Sequence, residues 1–206
     1  MEKIDFKKVL KHLYNPSAKE VGIVDVPKMN FAMVDGKGAP GNAEFVAATE
    51  ALYSVAYTLK FMIKKGDAKS AVDYGVPPLE GLWWADDITA FKKNKRDEWK
   101  WTLMIMQPVF ITKTLFKEAV AKAKEKKGLP AIDAVRLESF AEGKAAQIMH
   151  IGPYADEAPN IEKIHTFIDE NGYGLTGKHH EIYLSDPRKA KPEKMKTVLR
   201  QPFKKK

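Results

Sequence analysis

Val21-Gly-Ile-Val-Asp-Val26, the pair Pro27-Lys28, Met29-Asn-Phe-Ala-Met-Val-Asp35 and the stop Gly36-Lys-Gly-Ala-Pro-Gly41 decide the fold. Two apolar, β-branched runs joined by a two-residue turn and closed by glycines read as a β-hairpin. Asn42 then caps a long helix to about Lys65, with Phe45, Val46, Leu52, Tyr53, Ala56, Leu59 and Ile63 at helical spacing. Gly66 ends it. Leu79-Glu-Gly-Leu-Trp-Trp84 reads as a third strand. After a charged turn from Lys92 to Glu98, Trp99-Lys-Trp-Thr-Leu-Met-Ile-Met106 reads as a fourth, running into Gln107-Pro108.

A connector helix from about Thr114 to Lys127, closed by Gly128 and Pro130, is followed by the same order again. Ala134–Phe140 and Ala145–Ile151 form a second hairpin around the turn Ala141-Glu-Gly-Lys144. A helix follows from Ala158 to Glu170, then strands His180–Ser185 and Met195–Arg200. Gln201-Pro202-Phe203 echoes Gln107-Pro108-Val-Phe110, and His180-Glu-Ile-Tyr183 echoes Leu79-Glu-Gly-Leu82. The fold class is therefore α+β, with two pseudo-symmetric ββαββ modules of antiparallel sheet and one long helix each. The boundaries are residues 1–17 for an N-terminal helix (helical over 4–14), about 18–110 for module one, 112–128 for the linker helix and about 131–203 for module two. One helix cannot cover both faces of its sheet, so the remaining faces meet each other or enclose a ligand cleft.

The chain has 206 residues, 44% hydrophobic and 30% charged, and no cysteine. Disulfides, thiolate metal sites and Cys nucleophiles are excluded, which suits a reducing, cytoplasmic location. No apolar h-region and no run of about 18 apolar residues exists, so neither a signal peptide nor a membrane partner is expected. The net charge is +8. Arg188 to Lys206 hold nine basic residues and one acid, which accounts for the whole excess and leaves residues 1–187 formally neutral. A basic end with a frayed Lys204–Lys206 tail is a solubilising segment, and no nucleic-acid partner is expected.

Four tryptophans, Trp83, Trp84, Trp99 and Trp101, lie within 19 residues on two strands that read as a hairpin. They serve either as sheet core or as a stacking wall for a planar ligand. Tyr53 and Tyr57, one helical turn apart, share a face and carry the same two readings. Glu181 lies beside Ile182 and Leu184. If those two face the helix, Glu181, Tyr183 and Ser185 line the face the helix leaves bare. A carboxylate among aromatic groups can neutralise a cationic ligand or act as a base. Glu80 is its counterpart in module one, and His150 is either a cleft residue or a structural histidine. His179 and His180 point to opposite faces and no HxxxH or HExxH spacing exists, so no metal is expected. No nucleotide fingerprint is present, and no cofactor is expected; Pro40 removes a donor N–H from the one glycine loop.

Val26-Pro-Lys-Met-Asn-Phe-Ala-Met-Val-Asp-Gly36, Pro78-Leu-Glu-Gly-Leu-Trp-Trp84 and His179-His-Glu-Ile-Tyr-Leu-Ser-Asp-Pro187 resemble the GyrI-like small-molecule-binding proteins over roughly residues 18–203. The resemblance implies two modules related by a pseudo-two-fold with a ligand cleft between them. In the wider family this fold is the effector-binding domain of multidrug-responsive transcription regulators, where a Glu in the third strand of the second module meets cationic aromatic drugs. That position is Glu181 here. Only about 17 residues precede the first strand, so the expectation is a stand-alone member. Some such members are detoxifying hydrolases that open the cyclopropane of aromatic DNA-alkylating compounds. The implied assignments are Glu181 and Tyr183 as catalytic residues, and Glu80, Trp83, Trp84, Trp99, Trp101, Tyr53, Tyr57 and His150 as ligand-binding. The alternative is a non-catalytic drug-sequestering or sensing module.

Overall fold

The computed structural model describes residues 3–66, 71–87, 93 and 95–206. In chain order the first elements are β1 (Lys3–Ile4), α1 (Phe6–Val9), α2 (Lys11–Tyr14), β2 (Gly22–Val26), β3 (Met29–Lys37), α3 (Ala43–Lys64), β4 (Asp73–Tyr74) and β5 (Leu79–Trp84). There follow β6 (Lys100–Gln107), α4 (Lys113–Lys127), β7 (Arg136–Phe140), β8 (Gly143–Ile151), α5 (Ala158–Glu170), β9 (Tyr173–Leu175), β10 (His179–Tyr183) and β11 (Lys196–Lys205). The expected α+β class with antiparallel sheet is what forms. The helix ends fall where the caps put them. Asn42 accepts the Phe45 N–H at 2.7 Å, Thr112 accepts the Leu115 N–H at 3.2 Å, and Gly128 closes α4 with φ 58°. The turn from Lys92 to Glu98 lies partly outside the described residues.

The chain divides into two compact units. Unit one is Met1–Val9, Met29–Leu79 and Trp84–Phe140; unit two is Leu10–Lys28, Glu80–Trp83 and Ala141–Lys206. These boundaries show that the two expected hairpins do not form. In unit one β3 is central, antiparallel to β6 on one side and to β7 on the other. In unit two β8 is central, antiparallel to β11 and to β2. Each first strand thus pairs in the unit of the other repeat's second strand. The connection Pro27-Lys28 explains this. Tight hairpin turns need positive φ at a central residue, and proline, whose ring fixes φ at about −65°, cannot supply it at Pro27.

In unit one, Ala32, Val34 and Gly36 lie opposite Ile105, Leu103 and Trp101, and this face of the sheet lies under α3. The helix supplies Ala48, Ala51, Leu52, Val55, Ala56 and Leu59, all buried at helical spacing. Trp101 is fully buried and meets Phe45 edge to face at 5.5 Å. Its indole crosses the backbone at Gly36, where any side chain would overlap the ring. In unit two, α5 lays Ile164 and Ile168 on Ala146, Ile148, Leu199 and Phe203. The basic C-terminus is not a frayed tail. Lys204 and Lys205 pair with Gly174 and Tyr173 in β9, and Lys206 bonds Asp169 at 2.6 Å. The N-terminal segment makes two separate turns, α1 and α2, because Leu10 takes a non-helical conformation and breaks the run.

Gly36→Ala should push Trp101 out of place and cost about 1–3 kcal/mol or more, as overpacking does. Chemical denaturation checks this; a variant as stable as the parent would contradict the packing of indole on glycine.

Candidate functional site

Strand β10 carries two groups of titratable side chains, one on each face. Its register with β11 pairs His180 with Arg200 and Ile182 with Val198; between them Glu181 opposes Leu199 and Tyr183 opposes Thr197. Leu199 belongs to the α5 core. Glu181 and Tyr183 therefore lie on the same face as α5, not on the bare face expected for them. Ile182 instead shares its face with Val198, His180 and Arg200, under α2.

On the α2 face the polar groups form one closed chain. Tyr14 donates to Glu80 Oε1 at 3.0 Å, and His180 Nε2 donates to Glu80 Oε2 at 2.9 Å. His180 Nδ1 meets Glu142 Oε2 at 3.0 Å, and Arg200 Nη1 donates to the same oxygen at 3.1 Å. Arg200 also donates to Gln147 Oε1 at 3.1 Å and to the Leu13 carbonyl at 2.7 Å. The Gln147 amide holds the His12 carbonyl at 2.8 Å. Both imidazole nitrogens face carboxylates, so His180 carries two protons. Burial opposes that charge, but Glu142 and then Glu80 outweigh it and raise His180 to about 9. Burial likewise pushes Glu142 up, yet His180 and Arg200 bring it down to about 2. Tyr14 is raised by burial and by Glu80. Glu80, expected at a ligand site, is thus committed to this chain.

On the α5 face the residues His179, Glu181 and Tyr183 stand in a row. Tyr183 donates to Glu181 Oε2 at 2.7 Å and accepts from Trp83 Nε1 at 2.9 Å. Tyr154 meets the Tyr183 ring edge to face at 5.7 Å. His179 Nε2 is 3.5 Å from Glu181 Oε1. Glu157, which precedes α5, is 5% exposed, and its Oε1 is buried without a hydrogen-bond partner. Burial, and then the Glu181 charge, raise Glu157 to about 9, against a smaller opposing pull from Thr197. Glu157 is the member that reading the sequence missed. Burial and the Glu181 carboxylate also raise Tyr183. Its proton is held by Glu181, so Tyr183 orients that carboxylate.

The remaining expected residues lie elsewhere. His150 is buried on the α5 face, accepting from Asn160 at 3.0 Å and donating to the Pro153 carbonyl at 3.1 Å; it ties β8 to α5. Trp101 is core. Tyr53, Tyr57 and Phe61 form an aromatic stripe along α3 in unit one, with centroids 6.2 Å and 6.5 Å apart. Trp84 and Trp99 are half-buried in unit one, Trp99 beneath the Arg96 guanidinium at 5.7 Å. Among the described residues no cluster of His, Asp and Glu is placed to hold a metal ion, and no helix is long and apolar enough to cross a membrane.

The model of the GyrI-like small molecule binding domain matches residues 19–204. The chain belongs to this family. The GyrI-like chain is similar to an uncharacterized conserved protein from Listeria innocua at 44% identity, covering 98% of this chain and 100% of that one with a TM-score of 0.90. It is similar to a hydrolase from Listeria innocua at 44% identity, over 98% and 100% of the two chains, with a TM-score of 0.85. The C-terminal domain of EcmrR shares the fold at 12% identity and a TM-score of 0.55, over 91% of this chain and 98% of that one. No curated protein matches in sequence.

The two faces of β10 in this GyrI-like domain differ chemically. The α2 face holds a neutral set of two carboxylates and two cations. The α5 face holds Glu157, pushed up to about 9 by burial and then by the Glu181 charge, beside Glu181 itself. For the α2 chain, stability follows the shifted groups. The His180 contribution is complete below about 6.5 and is lost as pH rises through about 9; that of Glu142 is complete above about 4.5 and is lost as pH falls toward about 2. Melting temperature should therefore decline on both sides of neutrality. His180→Phe leaves Glu80 buried without its cation and Glu142 with Arg200 alone, which should cost about 3–5 kcal/mol and abolish the alkaline decline. Thermal denaturation across pH checks both; an alkaline decline that persists in the variant would assign it elsewhere.

Proposed function

We propose that this GyrI-like protein takes up flat aromatic small molecules at the Glu181 face of unit two and adds water to those bearing an electrophilic cyclopropane conjugated to a carbonyl. The observation that carries the reading is the acid pair. Glu157 is buried with Oε1 unpartnered and pushed up to about 9 by burial and the Glu181 charge, and Tyr183 anchors the Glu181 carboxylate at 2.7 Å. The likeness to a Listeria innocua hydrolase at 44% identity supports it.

In the step, Glu181 takes a proton from water as the water oxygen bonds to a cyclopropane carbon. The strained carbon–carbon bond breaks, and its electron pair moves through the ring to the carbonyl oxygen. That oxygen takes the Glu157 proton, giving a phenol. The Glu181 proton then returns to Glu157, so the pair ends as it began and the net change is addition of one water. Glu157 stabilises the developing oxyanion as a buried donor, because the Tyr183 O–H is held by Glu181. Tyr154 offers exposed aromatic surface beside the pair, while buried Trp83 fixes Tyr183 through its indole N–H.

Hydrolysis of a spirocyclopropyl-cyclohexadienone, followed by its ultraviolet absorbance, tests the reading. Glu181→Gln and Glu157→Gln should each slow turnover about 10²–10⁴-fold, the range for loss of a general acid or base. Rates equal to wild type would remove the pair from the mechanism. Quenching of tryptophan fluorescence by a planar dye without any turnover would favour the sequestering reading.

A further inference from the structure

We propose that His179 is the positioning residue that keeps the negative charge on Glu181 and the proton on Glu157. This rests on the acid-pair reading and explains why two carboxyl groups in one place hold opposite roles.

The two members of the pair have different surroundings. Each Glu181 oxygen faces a donor group: Tyr183 O–H at 2.7 Å from Oε2 and His179 Nε2 at 3.5 Å from Oε1. Glu157 Oε1, by contrast, is buried with no partner. A carboxyl group faced by a donor and a cation favours its ionised form, and one that is desolvated beside an anion favours its neutral form. His179 is built for that task and no other visible one. Both of its ring nitrogens are buried without a hydrogen-bond partner, so the imidazole gives up its solvation with the Glu181 carboxylate as its neighbouring anion.

The groups around His179 leave Glu181 as its anionic neighbour. Glu181 adjoins it on β10. From α5 it is faced by His165, and Glu162 acts on His165 in turn. Burial, and then the His179 charge, lower His165, so His165 yields to its neighbour. Across the sheet, the Gln201 amide is spent on the carbonyls of Thr176 and Pro202. The row from His165 through His179 to Glu181 therefore sets an imidazole against the Glu181 carboxylate and nothing against Glu157 Oε1.

The test is the pH–rate profile of spirocyclopropyl-cyclohexadienone hydrolysis by the full chain. His179→Gln keeps an N–H donor of similar reach but cannot be charged; His179→Ala removes both. In each, the acid limb should move to higher pH by about one unit, with roughly tenfold slower turnover on the acid side of the limb and an unchanged rate on its alkaline side. Planar-dye affinity by fluorescence and the melting temperature of His179→Gln should stay at wild-type values. A limb that does not move, or a uniform loss of rate at every pH, overturns the proposal while a dead Glu181→Gln leaves the acid pair standing. A wild-type protein without turnover overturns both.

Discussion

Strand β10 cannot shift by one residue without taking the charge chain of unit two apart. His180 is pinned from both sides, by Glu80 at 2.9 Å and Glu142 at 3.0 Å, with Arg200 opposite it on β11. Side chains on a strand alternate with period two. A slip would put Glu181 among buried carboxylates and His180 under α5. Buried ion pairs add little net stability, because desolvation consumes most of their attraction. What this chain supplies is parity. By holding His180 on the α2 face it places His179, Glu181 and Tyr183 on the other, and the acid pair exists only in that parity.

The order of elements was legible in the sequence because its signals are local. Asn42, Thr112 and Gly128 mark helix ends by hydrogen bonds to residues within one turn, and the helix from Ala158 to Glu170 forms over the residues expected. Strand pairing is not local, and there the reading failed. Pro27-Lys28 and Ala141-Glu142 look like hairpin connections by length. The partners of β2 and β7 instead lie about 120 and 105 residues away in the chain, where no pattern within a short window can point.

At the site, Glu181 and Tyr183 were legible as strand neighbours whose side chains share a face. Which face was not. Ile182 looked like a core residue under the helix, yet it is buried under α2 with Val198. An apolar residue fixes the inside of a sheet only when one side is dry, and in unit two both sides are. Glu157 was hidden for a different reason. An acid before a helix reads as ordinary complementarity to the helix dipole, and nothing in Tyr154-Ala-Asp-Glu-Ala-Pro159 shows that the fold buries it against another acid.

The two faces also differ in what they leave available. In the α2 chain every carboxylate oxygen, imidazole nitrogen and guanidinium nitrogen has a partner within 3.1 Å. Such a set is finished: a ligand could bind there only by breaking bonds already made. On the α5 face, Glu157 Oε1 and both His179 nitrogens are buried and unspent. Native proteins rarely leave such atoms without partners, because desolvating them is costly and nothing offsets it. The fold therefore closes one set of charges to hold a strand and leaves buried polar atoms of the other unspent. Of these atoms, Glu157 Oε1 is the one beside Glu181 that no group of the fold is placed to use, and fixed, desolvated groups stabilise charge more strongly than solvated ones.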